Sequence, residues 1–117
     1  MKKPDNYYGL AFTSYDKKDK RQKKWKKQRK VRGFDDTELY DLDVTMASFI
    51  LPRLRRFKKV SITYPCETPE EWDAKLDLMI SAFSHICDRS IDISGKRDAE
   101  VEKGLKVFAE YFRALWW

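Results

Sequence analysis

Side chains able to do acid-base or metal chemistry are few in this chain, and their spacing is poor for it. One His and two Cys occur in 117 residues. His85 stands between Ser84 and Ile86, off the apolar stripe of its segment. The sequence places no carboxylate to orient it, whereas a general base needs its partner within hydrogen-bond reach, so it reads as a boundary histidine. Cys66, His85 and Cys87 lack the C-x-x-C spacing of zinc ligands and have no fourth partner. Cys87, on an apolar face, reads as a small buried hydrophobe. Ser94-Gly95-Lys96 has the look of a phosphate loop, but the first glycine of G-x-x-x-x-G-K-S/T is missing and Arg97 replaces its final hydroxyl residue. What survives is the generic capacity of a helix start to hold an anion on backbone N–H groups. Asp35, Asp36, Glu38, Asp41 and Asp43 have the composition of a metal or hydrolase site. A helix N-terminus explains them more economically, because its dipole favours anions. The expectation is a protein that is not an enzyme and takes no cofactor and no metal.

The strongest chemical signal is charge. The stretch KKDKRQKKWKKQRKVR, Lys17 to Arg32, holds eleven Lys or Arg against one Asp, a net of +10. The whole chain has 25 Lys or Arg against 19 Asp or Glu, so the remainder, 14 against 18, is net −4. Basic character therefore belongs to one segment, the pattern of a tail that meets polyanions. Candidate contacts are Lys17, Lys18, Lys20, Arg21, Lys23, Lys24, Lys26, Lys27, Arg29, Lys30 and Arg32, with Trp25 placed to stack on an unpaired base. A second dense patch, Arg53, Arg55, Arg56, Lys58 and Lys59, sits where a helix is expected to end, a position that suits cations. The acidic cluster is a further candidate partner for the basic run, a self-contact that would hide it until a stronger polyanion competes.

These side chains need elements to hold them. The length fits one domain: a basic N-terminal arm over 1–32 and a helical domain over 33–117. Tyr7, Tyr8, Leu10 and Phe12 fit a short strand or a segment packed on the body. Trp25 is the only large apolar group of the basic run, which lacks a docking stripe and reads as either disordered or a solvent-bathed helical extension. Gly33 breaks it from the next segment. Asp35 and Glu38 form a capping box, flanked by Phe34 and Leu39 as a hydrophobic staple. The helix expected from there carries Leu39, Leu42, Met46, Phe49, Ile50, Leu54 and Phe57 on one face, with a kink at Pro52. Thr68, Pro69 and Glu71 announce a second helix with Trp72, Leu76, Met79, Ile80, Phe83, Ile86 and Cys87 inward. The last helix, from between Ser94 and Asp98, carries Val101, Leu105, Phe108, Phe112 and Leu115, and Gly104 inside it is placed for close approach of a neighbour. The fold class is all-α, a small bundle of three main amphipathic helices.

No run of eighteen apolar residues exists, which excludes a membrane-spanning helix. MKKPDNYYGLAF is a poor signal peptide, which makes a cytosolic address the expectation. Two cysteines are too few for a disulfide framework. Trp116 and Trp117 close the chain; on a helix they point about 100° apart, so at least one leaves the seam as an interface residue, for a homodimer or a partner pocket.

The segments GFDDTELYDLDVTMASFILPRLRRFKK, YPCETPEEWDAKLDLMISAF and VEKGLKVFAEYFRALWW are similar to a group of small, mostly uncharacterised proteins of tailed bacteriophages. The shared pattern is an acidic helix start leading to an I-x-P-R-L-like segment, then T-x-E-E-W-D, then G-L-x-x-F and L-W, covering Gly33 to Trp117. The resemblance implies a viral protein acting in the host cytoplasm and carries over no active-site residue. With the charge, it leads to the expectation of an accessory protein that binds nucleic acid, a nucleotide signal or a host ribonucleoprotein, in a counter-defence role against a host defence protein. The alternative is a protein-protein inhibitor or assembly factor that uses the acidic helix faces and the terminal tryptophans.

Overall fold

The computed structural model describes residues 18–88 and 90–116. Lys17, Trp117 and the aromatic stretch from Tyr7 to Phe12 lie outside the described residues. Among the described residues four α-helices follow one another: α1 Gln22–Arg32, α2 Leu42–Val60, α3 Pro69–Cys87 and α4 Lys96–Tyr111. Two 3-10 turns accompany them, Asp36–Leu39 and Phe112–Ala114, and no strand occurs among the described residues. The protein is all-α, as expected from its periodicity. No helix among the described residues is long and apolar enough to cross a membrane. The chain divides into two compact units between Phe49 and Ile50.

In the first unit the basic run is itself a helix, α1, and Trp25 within it is only 3% exposed. Eleven residues with no side-chain cap and no acidic group in the first turn are too few to hold a helix alone. Its C-terminus supplies what its N-terminus lacks. Gly33, at φ 84°, ends it in the left-handed conformation and returns its N–H to the Arg29 carbonyl at 2.8 Å. Arg29, Lys30 and Arg32 lie in the last turn, where the dipole favours them.

The capping box at Asp35 is present but caps the short turn Asp36–Leu39, and α2 begins only at Leu42. Thr45 Oγ1 donates to the Glu38 carbonyl at 2.6 Å, tying the turn to the first turn of α2. The expected inward stripe is displaced here. Leu39, Leu42 and Met46 are exposed, Met46 to 61%, whereas Ala47 is fully buried. In the second unit Leu51 and Leu54 of α2 are buried. Pro52 lies inside α2, which runs on through it to Val60.

The second unit is organised by α3 and α4. Thr68 caps α3 by accepting from the Glu71 N–H at 3.1 Å, with Pro69 in the first turn. Trp72 meets Tyr111 edge-on at 5.6 Å, and His85 meets Glu100, so the pair runs antiparallel. Leu76, Met79, Ala82 and Phe83 are buried on α3, and Gly104 and Val107 on α4. Leu105 and Phe112, expected inward, are exposed, while Phe108 lies against both Phe83 and Phe112. The contact line passes through the glycine because only a missing Cβ permits the approach. A Cβ on Gly104 would lie 2.3 Å from the Leu78 carbonyl oxygen and 2.4 Å from Ala82 Cβ.

The connector between α2 and α3 is tied to the segment that follows α4. Thr63 Oγ1 donates to the Trp116 carbonyl at 3.3 Å.

Gly104→Ala tests the close approach through the sign of its effect. At a helix position free of neighbours it would stabilise by about 1 kcal/mol; here overpacking against backbone is expected to destabilise by about 1–3 kcal/mol. Thermal unfolding followed by circular dichroism should show a lower Tm, and a raised Tm would rule the approach out.

Candidate functional site

The basic helix is built on two kinds of cation with different jobs. At about 100° per residue, Trp25, Gln28, Arg29 and Arg32 share one side of α1. Three of them engage the acidic turn after Gly33. Arg29 Nη1 donates to Asp35 Oδ2 at 2.6 Å, with the Arg29 side chain 10% exposed and Asp35 fully buried. Arg32 Nη2 donates to Asp36 Oδ1 at 2.5 Å and its Nε to the Phe34 carbonyl at 3.1 Å, with the guanidinium over the Phe34 ring. Gln28 makes a reciprocal pair with Asp36: its amide nitrogen donates to Asp36 Oδ2 and its oxygen accepts the Asp36 N–H, both at 2.9 Å. The planar, forked guanidinium suits this work better than an ammonium does.

Asp35 carries more than one load. Its Oδ1 accepts from the Thr37 N–H at 2.8 Å and from the Thr37 hydroxyl, and its own N–H donates to Glu38 Oε2 at 2.7 Å. A carboxylate removed from water survives there because its oxygens are met by a guanidinium, a backbone N–H and a hydroxyl. Asp36 is held below the ordinary carboxylate range, first by Gln28 and then by Arg32. Burial pushes Glu38 the other way, upward.

The opposite side of α1 is lysine alone. Lys23, Lys26, Lys27 and Lys30 stand at i, i+3, i+4 and i+7, the spacing of one helix face, and all four are exposed. Lys20 and Lys24 flank this row, also exposed. The expected self-contact with the acidic cluster is therefore made, but by Gln28, Arg29 and Arg32, and it leaves the lysine row open. Arg29 and Trp25 leave the set of polyanion contacts: the first is buried in an ion pair, and the second is buried with the Arg21 guanidinium 4.8 Å from its ring centre. Arg21 is itself forked onto Asp19, with Nε at 3.1 Å and Nη2 at 2.9 Å. Lys18 is exposed and makes a contact of its own.

In the second unit, the patch expected at the end of α2 is partly occupied. Lys58 donates to Asp77 Oδ1 of α3 at 2.7 Å, and Arg53 makes a contact of its own. Arg55, Arg56 and Lys59 are exposed. Trp116 follows the 3-10 turn Phe112–Ala114, outside any helix, and is 63% exposed.

The remaining sequence candidates resolve into structural contacts. His85 does receive a carboxylate, Glu100 of α4, with Nε2 and Oε2 2.5 Å apart; no sequence spacing marked a partner fifteen residues away. Around Ser94-Gly95-Lys96 the helix start is filled by the chain's own acid. Asp92 accepts from the Ser94 N–H at 3.0 Å, the Ser94 hydroxyl at 2.6 Å and the Arg97 N–H at 2.9 Å. These bonds, the Ser94 hydroxyl first, lower its carboxyl to about 2. Arg97 closes the loop through the Ser90 carbonyl at 2.5 Å and Asp88 at 3.3 Å. An external anion would have to displace Asp92. Among the described residues no three His, Cys, Asp or Glu side chains are grouped to hold a metal.

Three variants test the clamp. Asp35→Ala leaves Arg29 buried without its carboxylate, which is expected to cost about 3–5 kcal/mol and to reduce helix content; an unchanged Tm would mean the pair is not buried in solution. Glu38→Gln is expected to raise Tm at pH 7. Its carboxyl has a raised folded pKa, so the cost of ionising it is present at neutral pH and relieved as pH falls through that value. Asp36→Asn should lower Tm at pH 7 and converge with the parent in acid, because a depressed pKa contributes above the unfolded value near about 3.9 and is lost below it. Melting curves from pH 7 to about 3 check both signs. Compared with known proteins, the chain matches no family model, no curated protein and no solved structure.

Proposed function

We propose that the protein is a non-enzymatic polyanion-binding protein whose working surface is the lysine row of α1, and that its ligand is nucleic acid, free or within a host ribonucleoprotein. The observation that carries this reading is the segregation of cations on α1: Gln28, Arg29 and Arg32 spend their hydrogen bonds inward, while Lys23, Lys26, Lys27 and Lys30 face water together. From Lys23 to Lys30 the row covers about 10 Å of helix. That length spans several phosphates of a chain and exceeds a single nucleotide, so an extended polyanion is the better fit. The phosphates would be met by flexible point charges on the lysine stems, which bind phosphate without reading base edges. The similarity to tailed-phage proteins supports a setting in the host cytoplasm, with counter-defence as the role.

A second reading is favoured by a different surface. Leu39, Tyr40, Leu42 and Met46 are exposed side by side in sequence, with Asp41 and Asp43 among them. This apolar and acidic strip fits a protein partner with a basic, apolar face, as an inhibitor or assembly factor would use.

Fluorescence anisotropy with a labelled duplex between 50 and 300 mM salt separates the readings. The parent is expected to bind with a steep salt dependence. Replacing Lys23, Lys26, Lys27 and Lys30 by Gln should reduce the slope of log K against log salt by up to about 3.6, at roughly 0.9 per phosphate contact. The helix should persist, since the change removes like-charge pairs three and four apart. An unchanged slope in the folded variant would sink the first reading. Met46→Glu should leave duplex affinity unaltered and matter only under the second.

A further inference from the structure

The charge on α1 suits a surface that grips a phosphate chain, but the second unit has something the lysine row lacks, exposed aromatic residues joined by hydrogen bonds to the helix end that carries exposed cations. Lys59 ends α2, and the Ser61 N–H continues the last turn by donating to the Phe57 carbonyl at 2.9 Å. Ser61 Oγ then donates to the Thr63 carbonyl at 3.2 Å, and Thr63 Oγ1 donates to the Trp116 carbonyl at 3.3 Å. Three hydrogen bonds thus carry the cationic end of α2 to the end of the chain. Trp116 is 63% exposed and Tyr64, next to Thr63, is 47% exposed. Lys59 and Arg56, one turn earlier, are exposed as well.

From this juxtaposition we infer that the corner formed by Arg56, Lys59, Tyr64 and Trp116 binds unpaired bases of a single-stranded nucleic acid, the cations taking its phosphates and the rings stacking on its bases. The inference rests on the polyanion reading and narrows it from nucleic acid to nucleic acid with unpaired bases. A duplex offers phosphates to Arg56 and Lys59, but its base faces are already stacked on one another, and reaching them requires unstacking. A single strand offers both at once. Every base has a π face, so the corner is expected to tolerate sequence. The tie between Thr63 and Trp116 is made to a backbone carbonyl, so it positions the indole without depending on it.

The test compares a fluorescein-labelled oligo-dT with a duplex of the same length, using the full chain at about 100 mM salt, where phosphate contacts remain strong. Trp116→Ala keeps the carbonyl that Thr63 binds and removes only an exposed ring, so its circular dichroism should match the parent. It should weaken oligo-dT binding by about 5- to 140-fold, the range for loss of one stacked base, and leave duplex binding within about twofold. Tyr64→Ala should act in the same direction, and Trp116→Phe should restore most of the affinity. Equal losses on both ligands, or no loss on oligo-dT, would overturn the assignment while leaving the polyanion reading standing. A parent chain that binds neither ligand would overturn both.

Discussion

A charged side chain taken out of water is costly unless it is fully met, and the first unit is arranged around one such case, the pair of Arg29 and Asp35. Asp35 sits where α1 has ended and the next turn has begun. One of its oxygens holds the guanidinium of α1, and the other holds Thr37 of the turn. The same carboxylate therefore caps the chain ahead of it and anchors the chain behind it. Without it, α1 is an eleven-residue helix with an uncapped start and repelling lysines, below the length at which isolated helices persist. Gly33 makes the arrangement reachable. Its left-handed backbone turns the chain so that Asp35 and Asp36, three and four residues past Arg32, come back to the side of α1 that carries Gln28, Arg29 and Arg32.

Charge on this helix thus divides by chemistry. Arginine keeps its charge and its fork when desolvated, so it can be spent as structure; lysine is strongly hydrated and stays in water. Counting both as one basic run hides the division. Gln22, Trp25, Gln28, Arg29 and Arg32 lie three or four apart, and that spacing was the signal available in the sequence. It is easily overlooked because a mixed polar face has no apolar stripe. The acidic residues after Gly33 were legible as a helix start, and the capping box is there. Their second role, as the counter-charge to α1, needed the direction of the turn.

The apolar faces show a related limit. Thr68, Pro69 and Glu71 marked α3 to the residue, because caps act locally through bonds that spacing alone specifies. The phase of the buried line was harder. The stripes of large apolar residues include Leu42 and Met46 in α2, Leu105 in α4 and Phe112 in the 3-10 turn after it, all of them exposed. The buried line runs instead through Ala47 in α2, and through Ala82 and Gly104 where α3 meets α4. Helices approach most closely where side chains are smallest, so the contact line is set by residues that a hydrophobic stripe ranks low. Leu105 and Phe112 border that line and reach water, while Trp72, Leu76, Met79 and Phe83 stay buried beside it. This geometry leaves Phe112 and Trp116 exposed near the end of the chain.

A helix that keeps like charges together is less stable than one that mixes them, by about 0.2–0.5 kcal/mol for each repelling pair three or four apart. Lys23, Lys26, Lys27 and Lys30 form four such pairs, 23 with 26, 23 with 27, 26 with 30, and 27 with 30, and no acidic residue of α1 relieves them. A solvated tail would not need this arrangement, because an unfolded run spreads its charges apart. Folding the run into a helix, burying Trp25 within it and committing Arg29 and Arg32 to hold it concentrates the repulsion on one face. That face becomes favourable when a polyanion neutralises it. Binding and helix stability are then linked: a ligand that meets only the folded lysine row stabilises α1 by mass action. On the free helix the clamp of Arg29 and Arg32 with Asp35 and Asp36 opposes the repulsion of the lysine row, and with a polyanion on that row the two would act together.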